Sequence, residues 1–220
     1  MITIAGNHSN TINGLKDIRD NVQHVVSAIS AALGAEVAVV DTDFELVATS
    51  KTFLETRGTN INEKFIRGIY RKGMAVITNP GHHELCKGCY YEGNCPETAE
   101  VLRVIEQDGK RYGVLLMVAY TQTQKEKFLS NTGELLEFIG EMANLICDEI
   151  RLQKSLEEEK YIKRQLETTI NFVDDGIITI DHQGHITQIN NKAKNILGIV
   201  ANRMTTNLNI RNYLPEQLLY

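Results

Sequence analysis

The spacing of apolar residues in the first third of the chain alternates between patterns typical of helices and patterns typical of strands. From Leu15 to Leu33 they recur every three or four residues, which predicts an amphipathic helix, and Gly34 is a typical helix end. The stretch "EVAVVDTDFELVATS" then contains two apolar runs around a polar turn, which predicts a β-hairpin. "NEKFIRGIYRKG" predicts a short helix and "MAVITNP" a strand that ends at its proline.

A second hairpin is predicted from "AEVLRVIEQDGKRYGVLLMVAYT". Asp108 and Gly109 form its turn, and Val114 to Tyr120 form the returning strand. Two hairpins and a further strand, with a helix before and a helix after, indicate an α+β fold built on an antiparallel sheet. We expect this domain to end near residue 150.

A long helix is predicted from Lys125 to Asn171, because this stretch contains no proline and only two glycines. Its first part carries an apolar stripe that should pack on the sheet: Leu136, Ile139, Ala143, Ile146 and Ile150. Its second part keeps a four-three spacing through Leu152, Leu156, Glu159, Lys163, Leu166, Ile170 and Val173. That seam predicts a homodimeric coiled coil, with a solvated connector helix or a frayed linker as the alternatives.

Composition and charge narrow the classes of function. The chain has 220 residues, 42% of them hydrophobic, and a net charge of -5, so neither nucleic acid nor an anionic membrane is an expected direct partner. A secretion signal and a membrane-spanning segment are not apparent in the sequence, and we therefore expect a cytoplasmic protein. The acidic pairs and runs fall at turns or on solvated helix faces, so we do not expect this segment to be an enzyme.

Cysteines are clustered in "HHELCKGCYYEGNC", which contains Cys86, Cys89 and Cys95 in a C-x2-C-x5-C arrangement. Clustered cysteines in a reducing compartment are typical of metal ligands or redox groups rather than of a disulfide framework. Gly88 and Gly93 allow the tight turns that would bring the sulfurs together. The cluster predicts a bound metal or an iron-sulfur centre.

Three thiolates need a fourth ligand to close a tetrahedral zinc site or a [4Fe-4S] cluster. The candidates are Cys147, His82 and His83. Cys147 also fits a small buried core position on the long helix, and each histidine also fits an exposed loop position. Three unligated thiols that form a disulfide on oxidation are a further alternative.

The end of the chain, "FVDDGIITIDHQGHITQINNKAKNILG", predicts two strands, a tight turn from Asp181 to Gly184, and a helix that ends at Gly198. This order of elements resembles the opening of a PAS sensory domain, over residues 168–220. A complete PAS domain needs about a hundred residues. We therefore expect the sequence to stop within that domain.

The first region, taken with these motifs, resembles a GAF domain. The order of a GAF-like domain, "CKGCYYEGNCPETAE", a helix and PAS is similar to the sensory half of sigma-54-dependent transcriptional activators of anaerobic bacteria. The resulting division is a GAF-like domain at 1–150 with a cysteine loop at 82–97, a helical linker at 151–171, and part of a PAS domain at 172–220.

That resemblance implies a function. It implies a downstream AAA+ ATPase and a helix-turn-helix DNA-binding domain, although no Walker motif occurs in this sequence. It favours an iron-sulfur cluster over zinc, and a small unidentified ligand in a GAF or PAS pocket. We expect a sensory and dimerisation region in which the cysteine loop biases the long helix. The alternatives are the sensor of a histidine kinase or another signalling enzyme, and a structural zinc-stapled dimerisation module.

Overall fold

The structure, a computed structural model, describes residues 12–57, 62–199 and 208–214. The chain divides into two units, Met1–Leu156 and Glu157–Tyr220. Within the described ranges, no helix is long and apolar enough to cross a membrane.

The first unit is built on a five-stranded antiparallel sheet with the strand order β2-β1-β5-β4-β3. Its strands are β1 (Glu36–Asp41), β2 (Leu46–Thr49), β3 (Met74–Ile77), β4 (Ala99–Gln107) and β5 (Lys110–Ala119). Both predicted hairpins are present, as β1-β2 and β4-β5, and the two long strands β4 and β5 lie inside the sheet. The predicted α+β fold on an antiparallel sheet is confirmed.

Helices flank this sheet. They are α1 (Arg19–Leu33), preceded by a 3-10 turn at Leu15–Ile18, α2 (Lys51–Arg57), α3 (Glu63–Lys72), α4 (Gln122–Ser130) and α5 (Thr132–Phe172). α1 ends where predicted, because Gly34 adopts the left-handed conformation at its C-cap. The sequence analysis did not predict α2.

The long helix begins later than predicted. A continuous helix from Lys125 is wrong, because α4 is a separate helix in which Thr121 and Gln124 form a capping box. The chain then leaves helical geometry at Asn131, with φ -143° and ψ 63°. α5 starts at Thr132 and continues for 41 residues.

The sheet has an apolar core on each face, because strand residues alternate between its two sides. We call them the α1/α5 face and the α3 face. On the α1/α5 face the core includes Val22, Val26, Val37, Val39, Leu115, Met117, Ile139, Ala143, Ile146, Cys147 and Ile150. On the α3 face it includes Ala38, Val40, Phe53, Phe65, Ile66, Ile69, Cys86, Leu102, Leu116 and Val118. The predicted stripe of the long helix is thus packed against the sheet.

The β1-β2 turn is organised by the buried carboxylate of Asp41. Its Oδ1 accepts hydrogen bonds from the backbone N–H groups of Asp43 and Glu45, both at 2.9 Å. Its Oδ2 lies 3.0 Å from the Lys16 ammonium, so the 3-10 turn at Leu15–Ile18 is tied to the β1-β2 turn. Phe44 occupies the left-handed region at φ 62°, which the flanking hydrogen bonds hold in place.

The second unit repeats that turn. Its strands β6 (Ile178–Ile180) and β7 (Ile186–Ile189) form an antiparallel hairpin, followed by α6 (Asn191–Leu197). Asp181 Oδ1 accepts hydrogen bonds from the N–H groups of Gln183 and His185, both at 2.8 Å. These elements confirm the predicted strand, turn, strand and helix. Residues 200–207 and 215–220, within the predicted PAS segment, lie outside the described residues.

Candidate metal site

The cysteine loop, residues 82–97, is a chain of short turns. A 3-10 turn at Glu84–Cys86 leads to backbone hydrogen bonds from the N–H of Cys89 to the Cys86 carbonyl and from the N–H of Glu92 to the Cys89 carbonyl, at 2.9 and 3.0 Å. Gly88 and Gly93 both have positive φ, as expected for tight turns. Both glycines thus form tight turns, as the sequence predicts.

Gly81 lets the two ends of the cysteine loop approach each other. Its carbonyl accepts a hydrogen bond from the N–H of Gly93 at 2.9 Å. Its φ is 84°, and a Cβ built there would lie 3.0 Å from the Cβ of Cys95 and 3.1 Å from the carbonyl oxygen of Tyr91. A larger residue at position 81 would therefore push Cys95 away.

The three loop cysteines converge on one small cavity on the α3 face of the sheet. The cavity has a volume of about 10 Å³ and is lined by Asn62, Phe65, Gly81, Cys86, Cys89, Tyr91, Cys95 and Glu100. Cys86 is buried, and its Sγ accepts a hydrogen bond from the N–H of Gly81 at 3.4 Å. Such N–H donors stabilise a thiolate and orient it toward a metal.

Two glutamates join the cysteines, and the sequence analysis missed both. The ligand atoms of Cys95, Glu97 and Glu100 all lie within 4.8 Å of one another. Glu97 and Glu100 are 3% and 2% exposed, and the Cys95 thiol donates a hydrogen bond to Glu97 at 3.6 Å. A signal was present in the sequence, since Glu100 interrupts an apolar strand, but alternation alone does not show which side chains a loop covers.

The proposed fourth ligands lie elsewhere. Cys147 is on α5, in the core of the α1/α5 face, so the sheet separates it from the loop cysteines. Burial raises the pKa of its thiol to about 11. His82 is exposed, and His83 Nδ1 accepts a hydrogen bond from the N–H of Leu85 at 3.2 Å. None of these three residues lines the cavity.

α3 supports the loop from one side. Its N-cap is Asn62, whose Oδ1 accepts a hydrogen bond from the N–H of Phe65 at 3.2 Å, and both residues line the cavity. Further along, a Cβ at Gly68 would lie 2.8 Å from a methyl carbon of Leu85, so the loop packs directly on the helix at this glycine. The cavity is thus enclosed by a loop, a helix and strand β4.

Parts of both units are similar in sequence to known proteins. Residues 164–219 match the sequence family described as PAS domain. The sigma-54-dependent transcriptional regulator UacR of Escherichia coli (strain K12) is 24% identical over 196 residues, which cover 86% of this chain and 32% of UacR. The predicted resemblance to the sensory region of a sigma-54-dependent activator is confirmed. The chain spans about a third of the length of this curated relative.

Two solved structures are similar to this chain to different degrees. A chain of the crystal structure of the E. coli DhaR(N)-DhaL complex aligns with 98% of this chain and 78% of its own length, at 16% identity and a TM-score of 0.55. The cofactor-binding GAF domain of the nutrient sensor CodY from Clostridium difficile covers 58% of this chain and 83% of its own length, at 12% identity and a TM-score of 0.41. The first alignment extends over nearly the whole chain.

Proposed function

We propose that this chain is the sensory and dimerisation region of a sigma-54-dependent transcription regulator, and that its cysteine loop holds a metal ion. The similarity to UacR and the PAS match support the first part. The convergence of Cys86, Cys89 and Cys95 on one cavity carries the second part. The rest of such a regulator would supply an AAA+ ATPase and a DNA-binding domain, so this region acts in the cytoplasm without contacting DNA or catalysing a reaction.

The size of the cavity supports a single ion. A volume of about 10 Å³ is close to what one water-sized sphere needs. A [4Fe-4S] cluster is typically held by four Cys thiolates, whereas this cavity is lined by three cysteines and the buried carboxylate of Glu100. Zn²⁺ is bound by thiolates and carboxylates in tetrahedral sites. We therefore assign zinc, and the iron-sulfur preference drawn from the family resemblance is replaced in this proposal.

The sheet offers a route for a signal. On strand β5, Leu116 and Val118 belong to the α3 face that the loop covers, whereas Leu115 and Met117 belong to the α1/α5 face. Loss of the ion would release the loop from strand β4 and change the packing beneath α5. The proposed output is a change in this long helix.

Dimerisation through α5 is supported by exposed apolar side chains on its second part. Leu152, Leu156 and Leu166 are 53%, 39% and 58% exposed. They occupy seam positions of the predicted heptad pattern, where a second copy of the helix would cover them. A polar pair in the same seam, Glu159 and Lys163, would fix the register.

Hydrogen exchange of the 220-residue chain with and without a zinc chelator tests the proposal. We expect chelation to lower protection in the cysteine loop and in the first half of α5. Cys89→Ser should reproduce the chelated pattern without chelator, and Cys147→Ala should respond as the unmodified chain does. Identical exchange with and without chelator in a zinc-loaded chain would contradict the proposed sensing.

A further inference from the structure

The carboxylate of Glu100 lies at an unusual place in the fold. Glu100 is on strand β4, opposite Ile77 of β3 and Val118 of β5, and its side chain is 2% exposed. The next residue on the same side of the strand is Leu102, in the apolar core of the α3 face. Carboxylates at such depth are paired with other groups or bind metals. An apolar side chain would be expected at this position of β4, since its neighbour Leu102 on the same face of the sheet is part of the apolar core.

The position of Glu100 relative to the loop points to metal binding. Its carboxylate lies within 4.8 Å of both the Cys95 Sγ and a carboxylate oxygen of Glu97. In a tetrahedral zinc site, bonds of about 2.0–2.3 Å place neighbouring ligand atoms roughly 3.3–3.8 Å apart. The separations in the structure thus exceed those of a zinc site by at most about 1.5 Å. Cys86 and Cys89 line the same cavity and would supply the remaining sulfur.

We propose that the ion is held by a mixed thiolate and carboxylate set, in which Glu100 and Cys95 are ligands and Glu97 is the neighbouring carboxylate available as a further ligand. This assignment rests on the proposed metal site of the cysteine loop. It replaces Cys147, His82 and His83 as completing ligands. Because Glu100 belongs to β4 and Cys95 to the loop, the ion joins the loop directly to the sheet. The spacing Cys95-x-Glu97-x-x-Glu100 is the corresponding sequence signature.

Zinc affinity of the 220-residue chain tests this ligand set. Metal-free protein is titrated with Zn²⁺ against a chromophoric chelator, for the unmodified chain and for Glu100→Gln. Changes in groups that only orient the ligands typically weaken affinity 10–100-fold, so loss of a ligand should weaken it by at least about 100-fold. Glu106→Gln is the matched control, because Glu106 lies on the same strand but pairs with Arg111 at 2.7 Å outside the cavity. Its affinity should be unchanged.

X-ray absorption at the zinc edge provides a second measurement that does not depend on the stability of a variant. The assignment predicts both sulfur ligands near 2.3 Å and oxygen ligands near about 2.0–2.2 Å in the unmodified chain. A shell of sulfur alone, or equal affinity for Glu100→Gln and the unmodified chain, would overturn the role of Glu100. Absence of stoichiometric zinc binding by the unmodified chain would instead overturn the metal site itself.

Discussion

Cys86 and Cys147 lie on opposite faces of one five-stranded sheet. Cys86 is part of the core of the α3 face, next to the loop cavity, and Cys147 is part of the core beneath α5. Four cysteines in one chain suggested a possible four-sulfur site. The fold separates them into a group of three that share a cavity and one that serves as a small core residue.

The first prediction concerns the thiol of Cys147. Its pKa is raised to about 11, first by burial and then by Asp148, so the neutral thiol is favoured in the folded state. The pKa of this thiol in the folded state lies above the ordinary value of 9.0 for cysteine. The contribution of the neutral Cys147 thiol to the free energy of unfolding is therefore fully present below pH 9. It is lost as the pH rises toward 11.

Urea unfolding between pH 7 and 11 measures this effect. The stability of the unmodified chain should fall more steeply above pH 9 than that of Cys147→Ala, which lacks the titrating thiol. Cys147 should also be the last cysteine to react with a thiol reagent in metal-free protein. Parallel pH profiles for the two proteins would contradict the assigned environment.

The second prediction concerns Gly81. Alanine at Gly88, where φ is 80° and nothing lies within 4 Å of the added Cβ, should cost about 1 kcal/mol of backbone strain. Alanine at Gly81 adds close contacts with Cys95 and Tyr91 to the same strain. It should cost at least about 1 kcal/mol more, and it should weaken zinc binding. Denaturant unfolding of metal-free protein compares the two variants, and equal losses would show that Gly81 is not a point of close approach.

The third prediction concerns the β1-β2 turn. Asp41→Ala removes the acceptor of two backbone N–H groups and one of three carboxylates around the Lys16 ammonium, which keeps Asp43 and Glu45 as neighbours. Leaving the two N–H groups without their acceptor should cost about 2 kcal/mol in the free energy of unfolding. Asp43→Ala is the control, because its side chain is exposed, and it should change stability by less than about 0.5 kcal/mol. Similar losses for both variants would argue against Asp41 as the organiser of the turn.

The fourth prediction concerns the seam of α5. Replacing Leu156 and Leu166 by glutamate places like charges at the proposed dimer contact, so the double variant should be monomeric at micromolar concentrations where the unmodified chain is dimeric. Tyr161→Glu is the control, since Tyr161 lies on the side of the helix away from the seam. Sedimentation equilibrium reports the association state. A double variant that remains as dimeric as the unmodified chain would place the dimer contact elsewhere.

Sequence patterns predicted the elements whose signals are local. Gly34 ends α1, Asp108 and Gly109 turn the second hairpin, and the strands on either side keep an apolar pattern. The break at Asn131 was missed although a local signal was present, because Ser130, Asn131, Thr132 and Gly133 are all weak helix formers. The capping box at Thr121 also marks α4 as a helix with its own start.

The candidate site was predicted only in part, for a different reason. The spacing of the three cysteines is a local signal, and in the structure all three line one cavity. Glu100 reaches that cluster because strand β4 passes beneath the loop, and Cys147 fails to reach it because α5 packs on the other face. Both outcomes depend on long-range packing, which spacing along the chain does not encode.

Metal and acid-labile sulfide analysis of protein purified under strict anaerobiosis decides whether the cysteine loop holds a zinc ion. We expect about one zinc per chain and no sulfide, with zinc retained in Cys147→Ala and lost in Cys95→Ser. About four iron and four sulfide per chain, or no metal at all, would contradict this expectation.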